Sequence, residues 1–166
     1  MDLIPVSPRR NNYVTTLALG GFSLQNATET CEELARRRKS LDSSDLRIAV
    51  LVADDEALIR STVVAILQSE GYDAVGVKDG LAAVECASKL QPDVVLADVS
   101  MPTMNGIEAA KRISAALPRT RVICFSGHAD SSDLLRKAQT EGFNFEFLMK
   151  PLKPEALLRA LKTKPL

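Results

Sequence analysis

Apolar residues along this chain fall into short solid runs that alternate with longer stretches of helical spacing. Residues 48–53 are one such run, ending at Asp54-Asp55, the pattern of a strand buried on both faces. Over residues 56–70, Ile59, Val63, Ile66 and Leu67 share one helical face, and Gly71 stands at the C-cap position. The alternation then repeats. A strand is predicted over 72–77, a helix over 81–90 that stops before Pro92, and an all-apolar strand over 94–97 that halts at Asp98. Residues 106–117 place Ile107, Ala110, Ile113 and Leu117 on one helical face. A strand over 121–125, a helix over 131–141 and a strand over 143–149 follow, and the last helix opens with Pro154 in its first turn.

Five strand–helix pairs in strict alternation predict an α/β fold: a (βα)5 doubly wound parallel sheet with helices on both faces and right-handed connections. Five units are too few for an eight-stranded barrel. Residues 1–45 read differently, with few large apolar groups, Pro5, Pro8 and the pairs Asn11-Asn12 and Gly20-Gly21. They are expected to form a flexible extension ahead of a folded domain over 46–166, with one short helix near 30–41. There Thr30 and Glu33 fit a capping box, and Glu32/Arg36 and Glu33/Arg37 are spaced as i,i+4 ion pairs. The run Arg36-Arg37-Arg38-Lys39 reads as a solvated helix face.

Charge and cysteine content narrow the possibilities. Lys+Arg and Asp+Glu both number 21, so no global bias points to nucleic acid or an anionic membrane. No apolar run approaches the length needed to span a bilayer. Arg9-Arg10 precedes a weakly apolar stretch over 13–24, but Thr15, Thr16, Gly20, Gly21 and Ser23 interrupt it and no cleavage site follows, so a cytoplasmic protein is expected. Cys31, Cys86 and Cys124 form no CxxC pair, which predicts neither a disulfide framework nor a zinc site. Cys124 sits within an apolar run as a small core residue. His128 is the single histidine, which removes most His-based metal sites.

In a doubly wound sheet, ligands bind outside the carboxyl ends of the strands. Those ends carry Asp54 and Asp55, Asp98, Ser126 and Lys150. Taken singly, each has an ordinary reading: Asp55 as a helix N-cap, Lys150 as a solvated lysine, Ser126 as nothing in particular. Together they would gather three carboxylates, a hydroxyl and an ammonium at one rim. Clustered carboxylates repel one another, and a hard divalent cation with oxygen ligands, Mg2+, relieves this. A carboxylate in such a site can attack an incoming phosphoryl group, with Lys150 neutralising charge on its oxygens.

The segment Val50-Leu51-Val52-Ala53-Asp54-Asp55-Glu56 resembles the first strand and acidic pair of response regulator receiver domains of two-component systems. Gly71-Tyr72, Gly80, the Met101-Pro102-Thr103-Met104-Asn105-Gly106 loop after Asp98, Phe125-Ser126-Gly127 and Lys150-Pro151 extend the resemblance over residues 46–163. It implies a flavodoxin-like strand order 2-1-3-4-5, with Asp98 as phosphoacceptor. It also implies Mg2+ held by Asp54, Asp55, Asp98 and the Ser100 carbonyl, Ser126 and Phe147 as switch residues, Lys150 as phosphoryl-binding lysine, and a cis Lys150-Pro151 bond. The sequence departs from the family pattern in four places. Gly127 replaces the usual alanine, Phe147 lacks a tyrosine hydroxyl, Asn105 stands where aspartate is frequent, and the 126–150 stretch is about two residues longer than usual. Ser100 and His128 hold the variable positions that tune acyl-phosphate lifetime.

The expected function is a switch rather than an enzyme beyond its own phosphorylation and dephosphorylation. A sensor histidine kinase or phosphotransfer protein would donate the phosphoryl group. Because the chain ends just after its last helix, no C-terminal output domain is expected. Output would pass to a downstream protein target, with homodimerisation as a further route and no direct nucleic-acid or membrane contact. Two rivals remain: a phosphate-independent interaction module, which would lack one of the acids or the lysine, and an Mg2+-dependent phosphohydrolase, which would need an acid where Ser100 stands.

Overall fold

The computed structural model describes residues 29–127 and 131–162. The 13–24 stretch with its glycine pair, the proline, arginine and asparagine features ahead of it, and His128 lie outside them.

Five parallel strands, β1 (Ala49–Ala53), β2 (Asp73–Val77), β3 (Val94–Asp98), β4 (Arg121–Ser126) and β5 (Glu146–Met149), form one sheet in the order β2-β1-β3-β4-β5. This is the expected order. Every residue of β1 and β3 is buried, which accounts for their unbroken apolar runs. Successive side chains alternate between two cores. Val50, Val52, Leu96, Ile123 and Phe125 face α2 (Ala57–Ser69) and α6 (Pro154–Lys162), through Val63, Val64, Leu67 and Leu157. Leu51, Ala53, Val95, Ala97 and Cys124 face α3 (Gly80–Leu90), α4 (Gly106–Ala116) and α5 (Ser131–Thr140). Each fully buried Leu, Ile or Phe contributes about 1.5–3 kcal/mol.

The strand predicted over 143–149 begins only at Glu146. Gly142, at φ 89°, turns the chain out of α5, and the Phe143 N–H donates to the Ala138 carbonyl at 2.9 Å. That donor is committed to the helix end and cannot join the ladder. Phe143 and Phe145 stack on one another instead, their centroids 5.7 Å apart.

Helix α1 (Cys31–Lys39) packs on the α3 side of the sheet, beside β2. Thr30 and Glu33 form the expected capping box. Three other expectations about this helix need correction. Cys31 and Cys86 are joined in a disulfide, which a sequence separation of 55 gave no means of reading. The i,i+4 pairs give way to tertiary ones. Glu32 pairs with Lys89 and Arg37 with Glu29, while Glu33 is taken up in the cap. The basic run is only partly a solvated face, because Arg37 and Arg38 both reach Asp73, at 3.0 and 3.4 Å, and Arg38 also reaches Asp93. Asp73 is buried at the start of β2, so an unpaired carboxylate there would be costly. With Leu34 fully buried and Ala35 nearly so, α1 is seated by apolar contact, ion pairs and a covalent link.

Candidate functional site

Strand order reverses between β1 and β3, which opens a crevice at their carboxyl ends. The β1–β3 register, Ala53 beside Ala97, brings Asp54 and Asp98 to one level on neighbouring strands. Carboxylate oxygens of Asp54, Asp55 and Asp98 all lie within 4.8 Å of one another. Asp54 and Asp98 are buried, and Asp55 is exposed at the mouth.

Lys150 follows β5 and enters the same pocket from the other side. Its N–H donates to the Ser126 carbonyl at 2.9 Å, which fixes the backbone from which its side chain extends. The Lys150–Pro151 bond is cis, as expected. Lys150 Nζ donates to Asp98 Oδ2 at 2.9 Å and lies 3.1 Å from Asp54 Oδ2. The second contact is an ion pair without hydrogen-bond geometry, so Asp54 Oδ2 is a buried oxygen with no hydrogen-bond donor. Asp54 Oδ1 is occupied, accepting from the Glu56 N–H at 2.8 Å. That bond takes the capping role expected of Asp55: Glu56 is the N-cap of α2, and its own side chain caps nothing.

Charge balance in the pocket is uneven. Burial pushes the Asp54 carboxyl above its usual 3.8, against the Glu56 N–H and Lys150, with Asp98 adding to the rise. Burial works to lower the Lys150 ammonium, but its hydrogen bond to Asp98 and its ion pair with Asp54 outweigh that and hold it above its usual 10.5. Two buried acids thus share one ammonium.

Ser126 ends β4, fully buried, its Oγ 3.5 Å from Ser100 Oγ. The Ser100 N–H donates to Asp98 Oδ1 at 3.2 Å. Phe147, half-buried on β5 beside Cys124, packs into the α3–α5 core rather than the pocket. Gly127 leaves room, since a Cβ there would meet Lys150 Cβ at an ordinary 3.5 Å.

Three contributors were not foreseen. Phe125 lies beneath the Lys150 ammonium, 5.3 Å from ring centroid to Nζ, and its electron-rich face favours the cation. Arg60 Nη1 donates to the Asp54 carbonyl at 2.6 Å, tying α2 to the end of β1. Glu56 places a carboxylate 3.7 Å from Lys150 Nζ. Only Arg60 left a usable signal, a cation one turn into the helix that follows the acidic pair.

The pocket suits a hard divalent cation. It offers three carboxylates, an oxygen with no donor, and no competing nitrogen or sulfur ligand among its described residues.

A family model for the response regulator receiver domain matches residues 50–162. The transcriptional regulatory protein PdtaR of Mycobacterium tuberculosis is 39% identical over 116 residues, covering 68% of this chain and 54% of that protein. The chain thus spans about half the length of this and several other regulators it matches. The chemotaxis protein CheY of Thermotoga maritima is 33% identical over 113 residues, which cover 92% of its length and 68% of this chain. Among solved structures, the Vibrio cholerae chemotaxis protein CheY4 superposes with a TM-score of 0.62 at 30% identity, covering 70% of this chain and 98% of that one. The receiver domain of the sensor histidine kinase PA1611 from Pseudomonas aeruginosa, solved with magnesium in its active-site cleft, does so at 0.61 and 28%, covering 70% and 96%. With a crevice of acids and one lysine at the strand-order reversal, and a family match over more than half its length, this chain belongs to the response regulator receiver family.

Proposed function

We propose that Asp98 accepts a phosphoryl group from a phosphohistidine-bearing kinase or phosphotransfer protein, and that the acyl phosphate switches binding to a downstream protein. The observation that carries this reading is Lys150 Nζ at 2.9 Å from Asp98 Oδ2, beside two further acids. Asp98 Oδ2 is the oxygen paired with a movable cation, while Oδ1 is held by the Ser100 N–H. An Asp98 oxygen attacks phosphorus, the phosphorus–nitrogen bond of the donor breaks, and the imidazole leaves with its electron pair. Asp54, Asp55, Asp98 and the Ser100 carbonyl would hold Mg2+, which when bound supplies neutralising charge to the acids and the phosphoryl oxygens.

Lys150 then exchanges its bond to the Asp98 carboxylate for one to a phosphoryl oxygen. Ser126 Oγ, near Ser100 Oγ, turns to donate to another. Phe147 answers by packing alone, since it has no hydroxyl. The change reaches the surface at α5, β5 and α6, where Leu134 and Met149 stand exposed. A protein target suits that apolar character better than a nucleic acid does, and the balanced charge of 21 against 21 agrees. The site of action is cytoplasmic, where a sensor kinase presents its phosphohistidine.

Incubation with acetyl phosphate and Mg2+, read by intact mass, tests the assignment. Wild type gains one labile phosphoryl group and Asp98→Ala gains none. Equal labelling of both would remove Asp98 from the role, and labelling of neither would favour a phosphate-independent interaction module.

A further inference from the structure

Outside the acidic pocket, the most unusual feature is the Cys31–Cys86 disulfide between α1 and α3. We propose that this bond is a reversible modification site for low-molecular-weight thiols and disulfides, with Cys31 the sulfur that exchanges and Cys86 the one that closes the bond.

The two sulfurs differ in access. Cys31 opens α1 and is half-buried, whereas Cys86 lies on the inward face of α3 at 3% exposure, inside the core around Ala83, Ala87 and Leu90. Thiol–disulfide exchange requires the attacking sulfur to reach its target, so a small thiol meets Cys31 first. The third cysteine does not interfere: Cys124 is buried in β4, and burial pushes its thiol up to about 12.

The seat of α1 makes the bond reversible without loss of the fold. Leu34 is buried, and Arg37 and Arg38 reach Asp73, so contacts that do not involve the sulfurs also hold the helix. After reduction the two thiols stay close, so reclosure is intramolecular and favoured over a second adduct. Cross-linking across 55 residues still restricts the unfolded chain, so reduction lowers the thermal midpoint by about 10 °C.

In closing, the Cys31 thiolate attacks one sulfur of a small disulfide, that S–S bond breaks, and one small thiolate leaves. The Cys86 thiol gives its proton to solvent and attacks Cys31 Sγ, expelling nothing from Cys31 but the second small thiolate. Two cysteine thiols are oxidised to one disulfide, and the small disulfide is reduced to two thiols. Reduction runs the same steps in reverse. The result is a covalent tie between α1 and α3 that follows the surrounding thiol balance, independent of phosphoryl transfer at Asp98.

The test uses the full chain, reduced and then mixed with oxidised glutathione at neutral pH, acid-quenched over time and read by intact mass and peptide mapping. Wild type passes through one transient glutathione adduct on Cys31 and ends with the internal bond and no adduct. Cys86→Ala retains one adduct on Cys31, and Cys31→Ala reacts at Cys86 at least about tenfold more slowly. A transient adduct on Cys86, equal rates in the two variants, or a wild-type end state without the internal bond would each overturn the proposal. Mapping the wild-type intermediate decides the matter even if a variant misfolds.

Discussion

Gly106 lies against the Asp98 carbonyl, where an added Cβ would stand 2.1 Å from the oxygen and 2.7 Å from the carbon. The first residue of α4 is therefore a spacer that lets the helix start beside the proposed phosphoacceptor, with its N–H donating to the Val99 carbonyl at 3.2 Å. Because the clash is with backbone, it is relieved only by moving α4 or the end of β3. Gly106→Ala should lower stability by about 1–3 kcal/mol in urea and slow acetyl-phosphate labelling. Gly127→Ala is the control, its nearest neighbour at 3.5 Å, and should stay within about 0.5 kcal/mol of wild type. Equal behaviour of the two variants would contradict this packing.

Lys150→Ala removes the ammonium shared by Asp98 and Asp54. Phosphoryl uptake should persist at a reduced rate, since the acids remain. The change in partner binding should vanish, since nothing then draws the β5–α6 region to the phosphoryl group. Labelling kinetics and binding to the downstream target measure the two effects separately. A variant that labels slowly yet still switches its target would remove Lys150 from signalling.

How much of this could be read in advance depended on distance along the chain. The solid runs of β1 and β3 are legible because a strand buried on both faces has no polar positions. Asp54, Asp98, Ser126 and Lys150 stand out because each ends a strand, and topology alone brings strand ends together. The link between Cys31 and Cys86 and the pairing of Arg37 and Arg38 with Asp73 left no local trace. They depend on where α1 docks, and nothing in a nine-residue amphipathic helix names its acceptor. The late start of β5 was obscured for another reason: Phe143 and Phe145 have the alternation of a strand but stack on one another in the irregular segment before it.

Leu34 is the apolar anchor of α1, fully buried against the α3 side of the sheet. Leu34→Ala should cost about 2–5 kcal/mol in urea denaturation, the range for emptying a leucine site in a packed core. The same change in a flexible extension would cost close to nothing. A loss below about 0.5 kcal/mol would mean that α1 is not seated where it is described.

Cys124 provides a check on the core that is separate from the disulfide. Its thiol is pushed up to about 12 by burial, so almost no thiolate forms near pH 8. Native, unreduced protein should therefore take up no iodoacetamide at Cys124 over the time in which an exposed thiol reacts fully. Urea should expose it to full labelling. Rapid native labelling, located by peptide mapping, would place a gap in the sheet where none is described.

Asp54 joins stability to metal binding through the sign of its shift. Its folded-state value lies above 3.8, so as pH rises from there the native state keeps this proton longer than the unfolded chain does. Its contribution to stability is therefore greatest below 3.8 and falls as pH climbs through the folded value. When ionised, the side chain is a burden on the metal-free protein, because Oδ2 has no hydrogen-bond donor and shares Lys150 with Asp98. Asp54→Asn should raise the metal-free stability by about 1 kcal/mol, since a neutral amide carries no such penalty. Mg2+ binds the ionised carboxylates and should raise the thermal midpoint of wild type at pH 7 in proportion to its occupancy. In Asp54→Asn that rise should shrink or disappear, so the two proteins converge as Mg2+ is added. A variant that is less stable without metal, or that gains as much from Mg2+ as wild type, would show that Asp54 is not the strained acid of this pocket.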